Sequence, residues 1–120
     1  MADHALLITW TEPVPGREAR AIECFNDALG ILGRKQQEGA IEGFDVVLCR
    51  ASSDLGGYIK IEGSAEQMAA LKEDEEFRRN TVESTLTVNG INHIDSFTGE
   101  GIATQMALYQ AAVEQVPQTT

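Results

Sequence analysis

Basic residues are scarce in this chain. Nine Lys and Arg stand against 19 Asp and Glu in 120 residues, a formal net charge of −10. Surfaces that hold nucleic acid or anionic membranes gather cations to neutralise phosphates, so neither partner is expected. Long apolar runs are also missing: nothing approaches the ~20 consecutive apolar residues that cross a bilayer. The opening MADHALLITW is too short in its apolar part, and lacks the basic flank, for a signal peptide. Two cysteines, Cys24 and Cys49, are too few for a disulfide framework and form no CxxC pair. Each falls within a regular-element pattern, where a buried free thiol is the ordinary state. Of the two histidines, His4 and His93, neither belongs to an HxH or HExxH pattern, so no metal site and no cofactor are expected. Together these absences point to a cytoplasmic, reducing location.

The remaining composition, 42% hydrophobic and 23% charged, is that of a globular domain large enough to bury a core. Residues 41–64 organise it. In IEGFDVVLCR, Phe44, Val46 and Leu48 alternate with Asp45, Val47 and Cys49, the period of a strand. After the ASSDLG loop, Ile59 and Ile61 face one way and Tyr58, Lys60 and Glu62 the other. Strands this close in sequence pair antiparallel. Gly56 and Gly57 are expected to give the loop its backbone freedom. A phosphate cradle is excluded, because a strand rather than a helix follows the glycines.

The flanking segments read as cover or sheet extension. Residues 4–11 form a strand, with His4, Leu6, Ile8 and Trp10 on one face. Residues 17–37 form a helix, with Ala21, Phe25, Ala28 and Leu32 as its stripe, widened by Ile22 and Leu29. Gly30 and Gly33 suggest close approach of another backbone, and Gly39 stops the helix. Ser64 to Gln67 fits a capping box. The apolar spacing then breaks, which predicts a kink or a fresh helix capped by Asp74 and ending near Val82. The acid run from Glu73 to Glu76 suits a helix start. Residues 85–98 read as one long strand bent at Asn89-Gly90, or as two short ones. Residues 101–116 form a tail helix with Ile102, Met106, Tyr109, Val113 and Val116 at heptad-like spacing.

The order strand, helix, strand, strand, helix, strand is that of the ferredoxin-like βαββαβ unit, an α+β sandwich on an antiparallel sheet with an extra C-terminal helix. GREARAIECFNDAL, EGFDVVL, LGGYIKIEGS, EEFRR and HIDSFTGEG resemble segments of small bacterial proteins of the dimeric α/β-barrel superfamily. That superfamily includes antibiotic-biosynthesis monooxygenases and lactone-pathway isomerases. The resemblance implies residues 1–100 as the barrel domain and residues 101–120 as a helix and tail of the same domain or of a dimer interface. It implies a homodimer packed sheet to sheet, with a cavity in each protomer. It transfers no catalytic residue.

The polar candidates are Asp45, Tyr58, Lys60, Glu62, Asn92, His93 and His4. Tyr58, Lys60 and His93 are expected to line a common cavity with Asp45 at its edge, on the face opposite the Ile59 and Ile61 core, and Val47 and Ile91 are expected on that opposite face too. Asp45 with Lys60 or Glu62 reads equally as a structural cross-strand ion pair. His93 alternating with Asp95 suits a base and its orienter, or a structural histidine. Ile102, Met106, Tyr109, Val113 and Val116 are the dimer-interface candidates. Two function classes follow: a small-molecule binder or cofactor-free oxygenase-like or isomerase-like enzyme using the cavity, and a non-enzymatic dimeric interaction domain.

Overall fold

The computed structural model describes residues 2–50, 54–117 and 119. In chain order the elements are β1 (His4–Trp10), β2 (Glu12–Pro13), α1 (Glu18–Gln37), β3 (Gly43–Leu48), β4 (Gly57–Gly63), α2 (Ala65–Glu73), α3 (Glu75–Thr87), β5 (Val88–Asn89), β6 (Asn92–Phe97) and α4 (Glu100–Gln115). The four longer strands make one antiparallel sheet in the order β3-β4-β1-β6. With α1 and the α2–α3 pair on one face, this is the ferredoxin-like arrangement. Residues 51–53 of the expected hairpin loop lie outside the described residues.

The period-2 patterns produce the core directly. Leu6 and Ile8 of β1 and Ile59 and Ile61 of β4 lie under Leu32, Ile41, Met68, Leu71 and Phe77. Leu6, Leu32, Ile41 and Ile61 are fully enclosed, each stabilising the fold by about 1.5–3 kcal/mol. The Ser64 capping box is present in both directions and starts α2. Gly39 follows α1 with φ +79°, a left-handed stop that glycine adopts without strain.

Several expectations need correction. The α3 helix runs on to Thr87, so the β-branched run at its end is helical. Ser84 and Thr87 return their hydroxyls to Asn80 O and Glu83 O, and Thr87 is buried. Packing overrides the strand propensity of the segment. The long bent strand is therefore only β6, preceded by the two-residue β5, which pairs with β2. No Cβ built on Gly30 or Gly33 would meet an atom within 4 Å, so neither permits a close approach. Gly56 and Gly57 are needed for space rather than for backbone freedom. A Cβ would stand 2.2 Å from Thr11 O at the first and 2.5 Å from Val47 O at the second. Ile22 is 60% exposed and lies outside the core stripe.

Asp74 joins the helical layer. Its extended backbone ends α2, and its carboxylate accepts from Phe77 N–H at 3.0 Å to cap α3. The same carboxylate takes the Lys35 ammonium of α1 at 2.7 Å, and this hydrogen bond holds the carboxyl below its ordinary pKa. The rest of the acid run serves the helix start as expected: Glu76 pairs with Arg34 and Glu75 with Arg79. Replacing Asp74 by Ala removes cap and ion pair together and is expected to cost about 1–2 kcal/mol. Asp74→Asn retains the cap and is expected to cost less than half as much. Chemical denaturation of the two variants separates the contributions.

Candidate functional site

An apolar cavity of about 250 Å³ lies between the sheet and the helices α1 and α3. Ile8 and Trp10 of β1, Ile59 of β4, and Ile91 and His93 at the start of β6 form its floor. Ala21, Phe25 and Ala28 of α1 and Phe77 and Thr81 of α3 form its roof, and Pro13 and Val88 of the β2–β5 pair close one end. Interiors normally leave few voids larger than a water molecule. Here Ala21 and Ala28 of α1 are small on either side of Phe25, and space remains beneath the helix.

None of the lining residues is Asp, Glu, Lys or Arg. The polar ones on the roof are committed to the helices. Thr81 Oγ1 donates to Phe77 O at 2.9 Å. Asn80 Nδ2 donates to Cys24 O at 3.1 Å. Ser84 Oγ donates to Asn80 O at 2.9 Å and lies 3.3 Å from Cys24 Sγ. Cys24 is buried, and desolvation pushes its thiol pKa up, so it stays a neutral thiol rather than a nucleophilic thiolate. These contacts tie α1 to α3, together with the Arg20–Glu83, Arg34–Glu76 and Lys35–Asp74 pairs.

His93 is the exception in the lining. Its ring meets Phe77 edge-on, with centroids 6.3 Å apart and planes at 86°. The residue is exposed to solvent, yet partial desolvation of its ring lowers its pKa from the ordinary 6.5. The imidazole is therefore neutral at pH 7, able to accept a proton or hydrogen bond at one nitrogen and donate at the other. No hydrogen bond to its ring nitrogens is made among the described residues. Its expected orienter, Asp95, instead holds the Lys72 ammonium at 2.9 Å. Outside His93, a shallow groove is bordered by Lys72, Arg78 and Val82.

The four sequence candidates do not share a cavity. Ile8 of the central strand pairs with Ile59 on one side and His93 on the other, so His93 lies on the helix face. Lys60 pairs with Leu7, and Tyr58 with Thr9 and Val47, so these face away from the helices. Asp45 sits directly across from Lys60 with an Oδ2–Nζ distance of 3.8 Å. The closer partner of Lys60 is Glu62 at 3.0 Å, and that contact raises the lysine pKa. The Tyr58–Lys60–Asp45 cluster is thus a cross-strand polar patch on the uncovered face. Asn92 lies on that face too. Ile91, expected there, packs instead against the core and the cavity. His4 is on the helix face, bonded to Asp3 at 2.8 Å and stacked near Phe97. Cys24 was read in the sequence as a buried free thiol, which it is, but the cavity residues Asn80 and Ser84 went unnoticed there. Their signal was a polar i, i+4 step, Asn80 to Ser84, facing a cysteine on another helix. Among the described residues, no three His, Cys, Asp or Glu side chains cluster as a metal site would require.

The five seam residues, Ile102, Met106, Tyr109 and Val113 of α4 and Val116 just after it, are open to solvent in the protomer, from 40% for Val113 to 63% for Tyr109. Gly101 is the buried residue of this helix, its Cα pressed against Asp3 O. On the uncovered sheet face Val47 is 38% and Ile94 44% exposed. Among the described residues no helix is long and apolar enough to cross a membrane.

Neither a protein-family model nor a curated protein matches the sequence. Solved structures do match the fold. A dimeric ferredoxin-like protein of unknown function from Jannaschia sp. CCS1 superposes with a TM-score of 0.61 at 15% identity, covering 77% of this chain and 96% of that one. A dimeric protein of unknown function and ferredoxin-like fold from Bacteroides fragilis gives 0.59 at 9% identity, covering 79% and 96%. A protein from Chloroflexus aurantiacus, described as a candidate antibiotic biosynthesis monooxygenase, gives 0.55 at 11% identity, covering 80% and 93%. The chain thus has the ferredoxin-like fold.

The His93 environment has a measurable consequence. Because the folded-state pKa lies below the ordinary 6.5, the unfolded chain takes up a proton first as the pH falls. Stability is therefore full above about pH 6.5 and declines below it, until the folded pKa is passed. The depressed carboxyls of Asp74 and Glu76 contribute above their ordinary 3.8 and 4.5 and act only at lower pH. Urea midpoints between pH 7 and 5 are expected to fall in the native protein and to fall less in His93→Gln.

Proposed function

We propose that this protein is a homodimer that binds a small organic molecule in the cavity between its sheet and α1 and α3. The observation that carries the reading is the cavity itself: an apolar chamber of about 250 Å³ in the layer where a small domain packs its core most densely. Its neutral His93 is a proton acceptor positioned at one wall. An isomerase-like or cofactor-free monooxygenase-like reaction there would begin with proton transfer from the bound molecule to His93. The likeness to a monooxygenase candidate supports this class by fold analogy alone.

The dimer is supported by the uncovered sheet face and by the dimeric description of the two ferredoxin-like neighbours. Strands ~4.8 Å apart and six residues of ~3.3 Å each give a four-stranded plate of roughly 400 Å². Stable interfaces take about 800 Å² per partner, so the plate needs an extension. The seam of Ile102, Met106, Tyr109, Val113 and Val116 supplies it, with α4 reaching across to the partner. The same two surfaces favour a second reading, in which the dimer is itself the function and the cavity is idle.

Naphthalene, an apolar probe of suitable size, is expected to raise the melting temperature by several degrees and to quench Trp10, the single tryptophan, which borders the cavity. Ala28→Phe, which fills the chamber, is expected to remove both effects while leaving the fold intact. An unchanged melt and emission with naphthalene would favour the second reading. Sedimentation is expected to give a dimer at micromolar concentration, and truncation after Gly99 to yield a monomer or a loss of several degrees in melting temperature.

A further inference from the structure

The polar side chains on the cavity roof have their donors turned inward, to the helices. Thr81 and Ser84 return their hydroxyls to α3 carbonyls, and the Asn80 amide is turned onto Cys24. The chamber contains no charged group to balance an acid or an amine. Burying an ion there without a partner is costly, and burying a neutral polar group without one is less so. Trp10 N–H is left as a donor and Asn80 Oδ1 as an acceptor, but the imidazole of His93 is the lining group that offers both a donor and an acceptor not taken by the described residues. Around it the lining is mostly apolar, from Ile8, Phe25, Ile59, Phe77 and Ile91.

We infer, building on the cavity reading, that the ligand is a neutral, largely apolar molecule bearing one hydroxyl, which sits against His93 with its ring between Ile59 and Phe25. A hydroxyl suits a neutral imidazole because it donates to the ring nitrogen when that atom is bare and accepts from its N–H in the other tautomer. Carboxylates and amines are excluded by the uncharged walls. The groove outside His93 carries Arg78 and Lys72, and an anion would seek those instead, outside the chamber.

Three probes with one ring system test this: naphthalene, 2-naphthol and 2-naphthoate, titrated at pH 7 against Trp10 fluorescence in the full chain. The expected order is 2-naphthol about fivefold tighter than naphthalene, the worth of one neutral hydrogen bond, with 2-naphthoate at least 100-fold weaker than 2-naphthol. His93→Leu is expected to abolish the naphthol preference while retaining naphthalene binding. His93→Gln, which keeps a hydrogen-bonding end, retains part of the preference. Equal affinity for naphthol and naphthalene, or a preference unchanged in His93→Leu, overturns the inference but leaves the cavity reading in place. Naphthoate binding as tightly as naphthol also overturns it and points to Arg78 as the anchor. Failure of all three probes defeats the cavity reading together with the inference.

Discussion

The phase of β1 between its two neighbours decides what this molecule can do. Ile8 lies opposite Ile59 on one side and His93 on the other, so all three side chains rise toward the helices. Leu7, one residue away, lies opposite Lys60 and Ile94 and points to the uncovered face. A one-residue slip in the β6 pairing would exchange His93 for Ile94 in the chamber wall. It would take the imidazole out of the cavity wall and set it on the uncovered face that also carries Lys60. Registry thus separates two chemistries: a largely apolar cavity with an imidazole in its wall, and an ionic patch on the opposite side.

The helical layer makes that chamber by being held at its rim more firmly than it is filled at its centre. Ion pairs from Arg20, Arg34 and Lys35 fix α1 to α3 along their outer side, and the Cys24, Asn80 and Ser84 contacts bind the two helices between them. Small residues at Ala21 and Ala28 then leave the space beneath unfilled. Exposed ion pairs contribute little each, but the Lys35–Asp74 pair is sheltered and shares its carboxylate with the α3 cap. The rim therefore depends most on Asp74, which ends one helix and starts the next.

Much of this fold was legible in the residues. The alternation of Tyr58 to Glu62 announced a two-faced strand, the Ser64 box and Asp74 announced two helix starts, and the element order announced the ferredoxin-like topology. The site was less so. Parity within β4 and within β6 was read correctly, but the phase between them passes through β1. No local pattern fixes that phase, so His93 was grouped with Lys60 when it belongs with Ile59. The end of α3 was misread because Thr85 and Thr87 favour strands in isolation. Burial of Thr87 and the bond from Arg17 Nη1 to Leu86 O are tertiary effects that hold the helix. The chamber depends on which helical residues are small above a given strand, and such a gap is a property of the packed layers rather than of any one of them.

The most direct measurement of where a ligand sits is a set of intermolecular nuclear Overhauser effects between bound 2-naphthol and methyl-labelled protein. Contacts to Ile8, Ile59 and Ile91 place the ligand in the chamber beneath α1 and α3, as this account predicts. Contacts to Leu7, Val47 and Ile94 would place it on the uncovered sheet face and contradict the account.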